Sequence, residues 1–147
     1  MNKKQIKLWK TFSIVSIIYS ISVVWLGQYL FSVFTNRSFY LVEEFQPRLF
    51  QTLITYIPFV LLFIFGLFKI RTKNFKNTFK GLISAYVVGG IASMLMWGYY
   101  FYDSYTYIIY DKIGGANIGL GMLMISSPMI IVLLMWISYL IFSKSSE

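Results

Sequence analysis

Four long apolar runs, separated by short polar segments, make up most of the chain. They cover residues 11–34, 49–68, 81–102 and 118–142. Each run matches the roughly 20 residues that a helix needs to cross a hydrocarbon core of about 30 Å. In lipid, only helices and closed barrels satisfy every backbone polar group. The pattern therefore predicts an all-α membrane protein in which residues 1–147 form a single domain, a compact bundle of four transmembrane helices.

The first run follows a basic start, a combination that also opens a secretory signal peptide. The apolar region of such a peptide is only about 7–15 residues long and ends in an A-x-A-like cleavage site. Residues 11–34 form a longer run without that ending, and we interpret them as a retained helix. Its small residues are spaced to share one helix face: Ser13, Ser16, Ser20 and Gly27.

The third run carries a small residue at every fourth position: Gly81, Ala85, Gly89 and Ser93. At this spacing the four residues lie on one face of a helix. Helix association in lipid depends on close packing, and small side chains permit it. The alternative is that glycine and serine are simply common in transmembrane helices. We interpret the four residues as a packing seam and expect residues 81–102 to form the central helix.

Two of the other runs contain a proline. Pro58 lies in the second run and Pro128 in the fourth. Each proline removes one helical hydrogen bond and predicts a kink. Thr55 is placed to satisfy the carbonyl that Pro58 leaves free. A structural kink is the preferred interpretation, and a gate is the alternative.

The basic residues are distributed unequally between the two ends of the four predicted helices. Ten are assigned to the end that holds both termini: Lys3, Lys4, Lys7, Lys10, Lys69, Arg71, Lys73, Lys76, Lys80 and Lys144. Three are assigned to the other end: Arg37, Arg48 and Lys112. Positive residues concentrate in cytoplasmic loops. The bias predicts a cell-membrane protein with both termini cytoplasmic, and it explains the net charge of +8 without nucleic acid.

Few residues of the chain could act in catalysis or bind a metal ion. The chain has no cysteine and no histidine, so thiol chemistry and the usual zinc sites are excluded. Four acids fall at the predicted outer end: Glu43, Glu44, Asp103 and Asp111. They could pair as acid and base or bind a hard cation, but solvated loop acids are the simpler interpretation. No cofactor or metal site is expected.

Transport usually requires an ionisable residue inside the membrane, and the four runs contain none between their ends. The strongest polar groups near them lie toward the outer ends: Gln28, Gln51 and Asn117. This pattern argues against a proton-coupled carrier. A passive pore formed by oligomerisation stays open, although mostly aromatic and aliphatic helices offer no polar lining.

The segment GGANIGLG precedes the last run. It lacks the GK[ST] ending of a phosphate-binding loop and does not follow a strand. One interpretation is that its glycines let the last helix start close against its neighbours. The other is that Gly114, Gly115 and Asn117 form a helix N-terminus that contacts a lipid headgroup phosphate.

Together these features favour a non-enzymatic membrane protein that works through helix contacts. It would be an accessory subunit of a membrane complex or an immunity-type protein that shields the membrane from a toxin. The expected partners are the lipid bilayer and another membrane protein, or a second copy of the chain. The alternative is a small oligomeric transporter or lipid-handling protein. An enzyme that uses the outer acids is the third class.

Overall fold

The computed structural model contains four α-helices packed together: α1 (Lys3–Phe34), α2 (Phe45–Lys69), α3 (Phe75–Tyr110) and α4 (Ile118–Lys144). It describes the backbone of these residues, and the side chains of residues 3–27, 29, 52–69, 75–99, 122, 123 and 125–144. All four helices are long and apolar enough to span a membrane. The prediction of an all-helical, four-span protein is confirmed.

The helices run beyond the apolar runs from which they were predicted. The largest difference is in α3, which covers Phe75–Tyr110 where the apolar run covers residues 81–102. Helical hydrogen bonds join residues only four positions apart, so a helix does not have to end where the lipid ends. As a result Asp103, expected in a loop, belongs to the backbone of α3.

Consecutive helices run in opposite directions. Along α3, Gly81 lies against Tyr139 of α4, whereas Gly89, two turns further, lies against the earlier residue Met135. This order makes α3 and α4 antiparallel. The N-terminus of α3 and the C-terminus of α4 therefore lie at the same end of the bundle.

The helices α1 and α3 are parallel neighbours. The ring of Phe12 lies 5.0 Å from that of Phe79 and 5.7 Å from that of Tyr86. Further along both helices, the ring of Tyr19 lies 6.4 Å from that of Tyr86. The two helices thus begin at the same end of the bundle.

In cross-section the bundle is a lozenge. The helices α2 and α3 contact each other and every other helix, whereas the described parts of α1 and α4 make no contact. The helices α2 and α3 therefore occupy the short diagonal, at the centre of the bundle. Each of them, α3 included, has three helices as neighbours. This position agrees with the expectation that residues 81–102 belong to the central helix.

The outward surface of the four spans is apolar. Large hydrophobic side chains point away from the bundle on every helix, including Ile18, Phe68, Leu95 and Met129. Soluble monomers rarely expose apolar patches above a few hundred Å². In a bilayer the same surface meets lipid tails at no cost, so the exposed faces are in contact with lipid.

Candidate functional site

Two residues of the packing seam, Gly81 and Gly89, lie against α4. Ala85 and Ser93 are 0% exposed, and Gly81 and Gly89 are buried. A Cβ atom added to Gly81 would lie 2.9 Å from Cδ2 of Tyr139 and 3.0 Å from the Tyr139 carbonyl oxygen. All four predicted packing residues are thus buried, and their joint role as a packing seam stays a prediction.

At Gly89 the close approach involves a side chain. A Cβ atom added there would collide with the Met135 side chain. Met135 is itself buried in the core, so its thioether has little space into which it can move. The distance between α3 and α4 at this level depends on the absence of a side chain at position 89.

A hydrogen bond between side chains joins the same two helices. The hydroxyl oxygens of Ser84 and Ser138 lie 2.6 Å apart, in a partly buried position. Ser84 precedes Ala85 of the packing seam. Serine hydroxyls that bond across an interface are typical of membrane helices, where no water competes for them.

Gly90 serves a different interface from its neighbour Gly89. A Cβ atom added to Gly90 would collide with the hydroxyl group of Tyr19 on α1. Successive residues of a helix point about 100° apart, so the pair lets α3 approach α1 and α4 at one level. Gly90 is not one of the predicted packing residues. The doubled glycine in mid-helix was the signal that could have identified it.

On the predicted small-residue face of α1, Ser16 and Gly27 lie against α3. Ser16, Ser20 and Gly27 are buried, and Ser13 is half-buried. Ser16 and Tyr86 form a side-chain hydrogen bond. A Cβ atom on Gly27 would lie 3.2 Å from Sδ of Met94. Small residues of α1 thus leave space for larger side chains of α3.

The second helix contributes Gly66 and Pro58 to the interior. A Cβ atom on Gly66 would lie 3.1 Å from Cη2 of Trp9 and 3.3 Å from Cδ1 of Leu82, which places α2 close to both α1 and α3. Pro58 is buried, and α2 remains helical through it. Thr55 is buried three residues earlier, and its role at the freed carbonyl stays a prediction.

Among the described residues, the buried hydroxyl of Ser93 lacks a hydrogen-bond partner. Ser93 is 0% exposed, and none of the described residues gives its Oγ atom a partner. Leaving a buried hydroxyl unsatisfied costs about 1–3 kcal/mol. Serine at this position therefore favours close packing through its small size and contributes no hydrogen bond within the described part of the chain.

A groove opens to the bilayer between α2 and α4, with a volume of about 190 Å³. Trp136 lies on its wall and is 48% exposed. Its ring contacts Phe65, with centroids 5.2 Å apart, and Tyr139, at 6.2 Å. Trp136 lies eight residues before Lys144 on α4, or about 12 Å along the helix axis. The ammonium of Lys69 lies 5.7 Å from the centroid of the Phe65 ring, so Trp136 lies toward the basic end of the bundle.

The predicted headgroup contacts Gly114, Gly115 and Asn117 lie outside the described residues, as do Glu43, Glu44 and Asp111. The side chain of Asp103 lies outside them as well. These assignments stay predictions. Within the described part of the chain, no three His, Cys, Asp or Glu residues come together as a metal-binding group.

The positions described here were compared with known proteins. No family model matches the chain, and neither a curated protein nor a solved structure matches it. Its class therefore follows from its own helices. Their lengths, composition and packing identify a small four-span membrane protein.

Proposed function

We propose that the whole chain, residues 1–147, works as one non-enzymatic four-helix domain that binds a partner within the membrane. Its role is that of an accessory subunit of a membrane complex or of an immunity-type protein. The observation that carries the proposal is the position of Trp136, which is half exposed beside the α2–α4 groove.

The exposed indole of Trp136 combines a large apolar ring with one polar group. Its N–H is a hydrogen-bond donor, and lipid tails offer it no acceptor. Tryptophan is enriched among the residues that dominate protein interfaces. A partner helix with a hydroxyl or carbonyl acceptor would satisfy the indole.

The small-residue faces do not provide this docking surface. Gly81 and Gly89 of the packing seam face α4, and Ser16 and Gly27 of α1 face α3, within the same chain. A partner therefore has to bind another face. The α2–α4 face combines an exposed aromatic ring with a groove into which a side chain of the partner can insert.

The proposal places the protein in the cell membrane with both termini in the cytoplasm. Support comes from α1 and α3, which begin at the same end as the C-terminus of α4. The lysines of the described helices all lie near that end: Lys3, Lys4, Lys7, Lys10, Lys69, Lys76, Lys80 and Lys144. Positive residues of this kind mark the cytoplasmic side.

The test is site-specific crosslinking in intact cells. A photo-crosslinking amino acid at Leu61, which lines the same groove and is 49% exposed, is expected to join the chain to one membrane protein at stoichiometric yield. The control position is Leu95, which is 70% exposed on α3. Trp136→Leu should release the partner, and Leu95→Ala should not. Equal crosslinking at both positions, or lipid adducts alone at position 61, would contradict the proposal, and a dimer would identify self-association.

A small lipid-handling protein or oligomeric transporter is the second candidate, favoured by a different observation. A larger groove, of about 340 Å³, opens to the bilayer between α1 and α3. Proteoliposomes that contain the purified protein are assayed for lipid scrambling and for flux of small cations. Rates equal to those of empty liposomes would exclude this function.

A further inference from the structure

The groove between α1 and α3 has the dimensions of a binding site. Its volume of about 340 Å³ falls within the range of roughly 300–1,000 Å³ that is usual for small-molecule sites. Its walls are mainly apolar and include Leu8, Phe12 and Val15 of α1, and Ile83 and Val87 of α3. It opens toward the bilayer, so its occupant enters from the lipid.

The hydroxyl groups that line this groove already have neighbours within the protein. Ser16 and Tyr86 share a hydrogen bond, and Thr11 donates one to the Lys7 carbonyl at 3.1 Å. The Tyr19 hydroxyl lies against Gly90. The groove therefore presents mostly hydrocarbon to its occupant, and an acyl chain suits it.

One end of the groove is positively charged. On α1, Lys4 lies four residues before Leu8 and seven before Thr11, a spacing that continues the stripe of groove residues. On α3, Lys76 lies seven residues before Ile83, so it continues the stripe of groove residues on that helix as well. Both lysines therefore extend the two walls of the groove toward the membrane surface.

The parallel packing of α1 and α3 brings these two lysines to the same level. The ring of Phe12 lies between those of Phe79 and Tyr86, and this register places Lys4 beside the first turn of α3. Both helices also begin at this end, and helix N-termini attract negative charge. Two cations and two helix N-termini thus meet where a lipid headgroup would lie.

We propose that this groove binds one anionic phospholipid. An acyl chain lies between α1 and α3, and the headgroup phosphate lies between Lys4 and Lys76. The site is independent of partner docking at Trp136, which lies on the opposite side of the bundle, on α4. It is also independent of lipid transport, because a bound lipid that never leaves would satisfy the same contacts.

The test uses native mass spectrometry of the full chain in detergent, titrated with phosphatidylglycerol or with phosphatidylcholine of the same acyl chains. One phosphatidylglycerol is expected to bind with clear preference. Each lysine should contribute about fivefold, which corresponds to about 1 kcal/mol near an anionic headgroup. The double variant Lys4→Gln/Lys76→Gln should therefore reduce the preference by about 30-fold.

A matched control removes the same charge elsewhere at the same end. Lys10 points to the side of α1 away from the groove, and Lys144 lies on α4, which does not contact α1 in the described structure. Lys10→Gln/Lys144→Gln should leave the preference within about twofold. Equal losses in the two double variants would mean that the lysines act only as diffuse surface charge, and would overturn the proposal.

A second variant tests the groove itself. Val87→Trp places a large side chain in the groove from an exposed position, so the fold should tolerate it, and lipid binding should fall at least tenfold. Leu134→Trp, at an exposed position on α4, is the control. Unchanged binding by Val87→Trp, equal binding of the two lipids, or a dimer without lipid would each overturn the proposal.

Discussion

The hydroxyl oxygens of Ser84 and Ser138 lie 2.6 Å apart across the α3–α4 interface, although 54 positions separate them in the chain. The bond is positioned by the packing seam, since Gly81 and Gly89 bring the two backbones close together. The two residue types thus have complementary roles. The glycines allow the helices to approach closely, and this approach brings the serines within hydrogen-bond distance.

The first prediction concerns the strength of this bond. A double-mutant cycle on Ser84→Ala and Ser138→Ala should give a coupling energy of about 0.6 kcal/mol, and at most about 1.7 kcal/mol, as found for hydrogen bonds between membrane helices. The measurement is unfolding in mixed micelles. Among the described residues, Ser126 bonds only to the Leu123 carbonyl of its own helix, so a cycle of Ser84→Ala with Ser126→Ala should show no coupling. A zero value for the Ser84–Ser138 pair would contradict the prediction.

The second prediction concerns Gly89. Leucine at this position should destabilise the bundle by about 1–3 kcal/mol or more, because its side chain overpacks the interface where Met135 lies. The half-buried neighbour Val88 provides the control, and Val88→Leu should be tolerated far better. The thermal midpoint in detergent measures both. Adding Met135→Ala to Gly89→Leu should restore part of the loss, and failure to do so would place the strain elsewhere.

The third prediction separates the two faces of α3. Gly90→Ala should also destabilise the bundle, since its Cβ atom collides with Tyr19, and Tyr19→Leu should relieve that strain. Tyr19→Leu should give no relief to Gly89→Leu, because Gly89 faces α4. Rescue of both glycine variants by Tyr19→Leu would show that the two interfaces are not independent.

The fourth prediction concerns Ser93, whose hydroxyl has no partner among the described residues. Ser93→Ala should leave stability unchanged or raise it by up to about 1 kcal/mol, since it removes an unsatisfied buried group. Ser93→Leu should destabilise the bundle. If Ser93→Ala costs as much as Ser84→Ala, the hydroxyl has a bonding partner in the cell, and chemical denaturation of both variants decides between the two cases.

The fifth prediction concerns orientation. The chain has no cysteine, so a single cysteine reports one position without background. Cysteine at Asn74 should react with a membrane-impermeant reagent only after the membrane is permeabilised, whereas cysteine at Ser38 or Ser104 should react in intact cells. The reverse pattern would overturn the cytoplasmic placement of both termini.

The helix ends and the contacts between helices differ in how far the sequence could predict them. Hydropathy located all four spans, but it ended the central helix at residue 102, before Asp103, where α3 continues to Tyr110. The spacing of Gly81, Ala85, Gly89 and Ser93 identified a buried face. It did not identify α4 as the neighbour, nor Gly90 as a contact with α1.

The helical class and the number of spans followed from the sequence alone, because a bilayer forces each apolar run of sufficient length to satisfy its backbone locally. The choice of neighbours was decided only by the tertiary structure. Nearly every face of these helices is apolar, and lipid solvates an apolar face as well as another helix does. Pairing therefore depends on how well two helix surfaces fit each other, as Gly89 fits Met135 and Gly90 fits Tyr19. This fit is a property of two packed helices and cannot be determined from one helix alone.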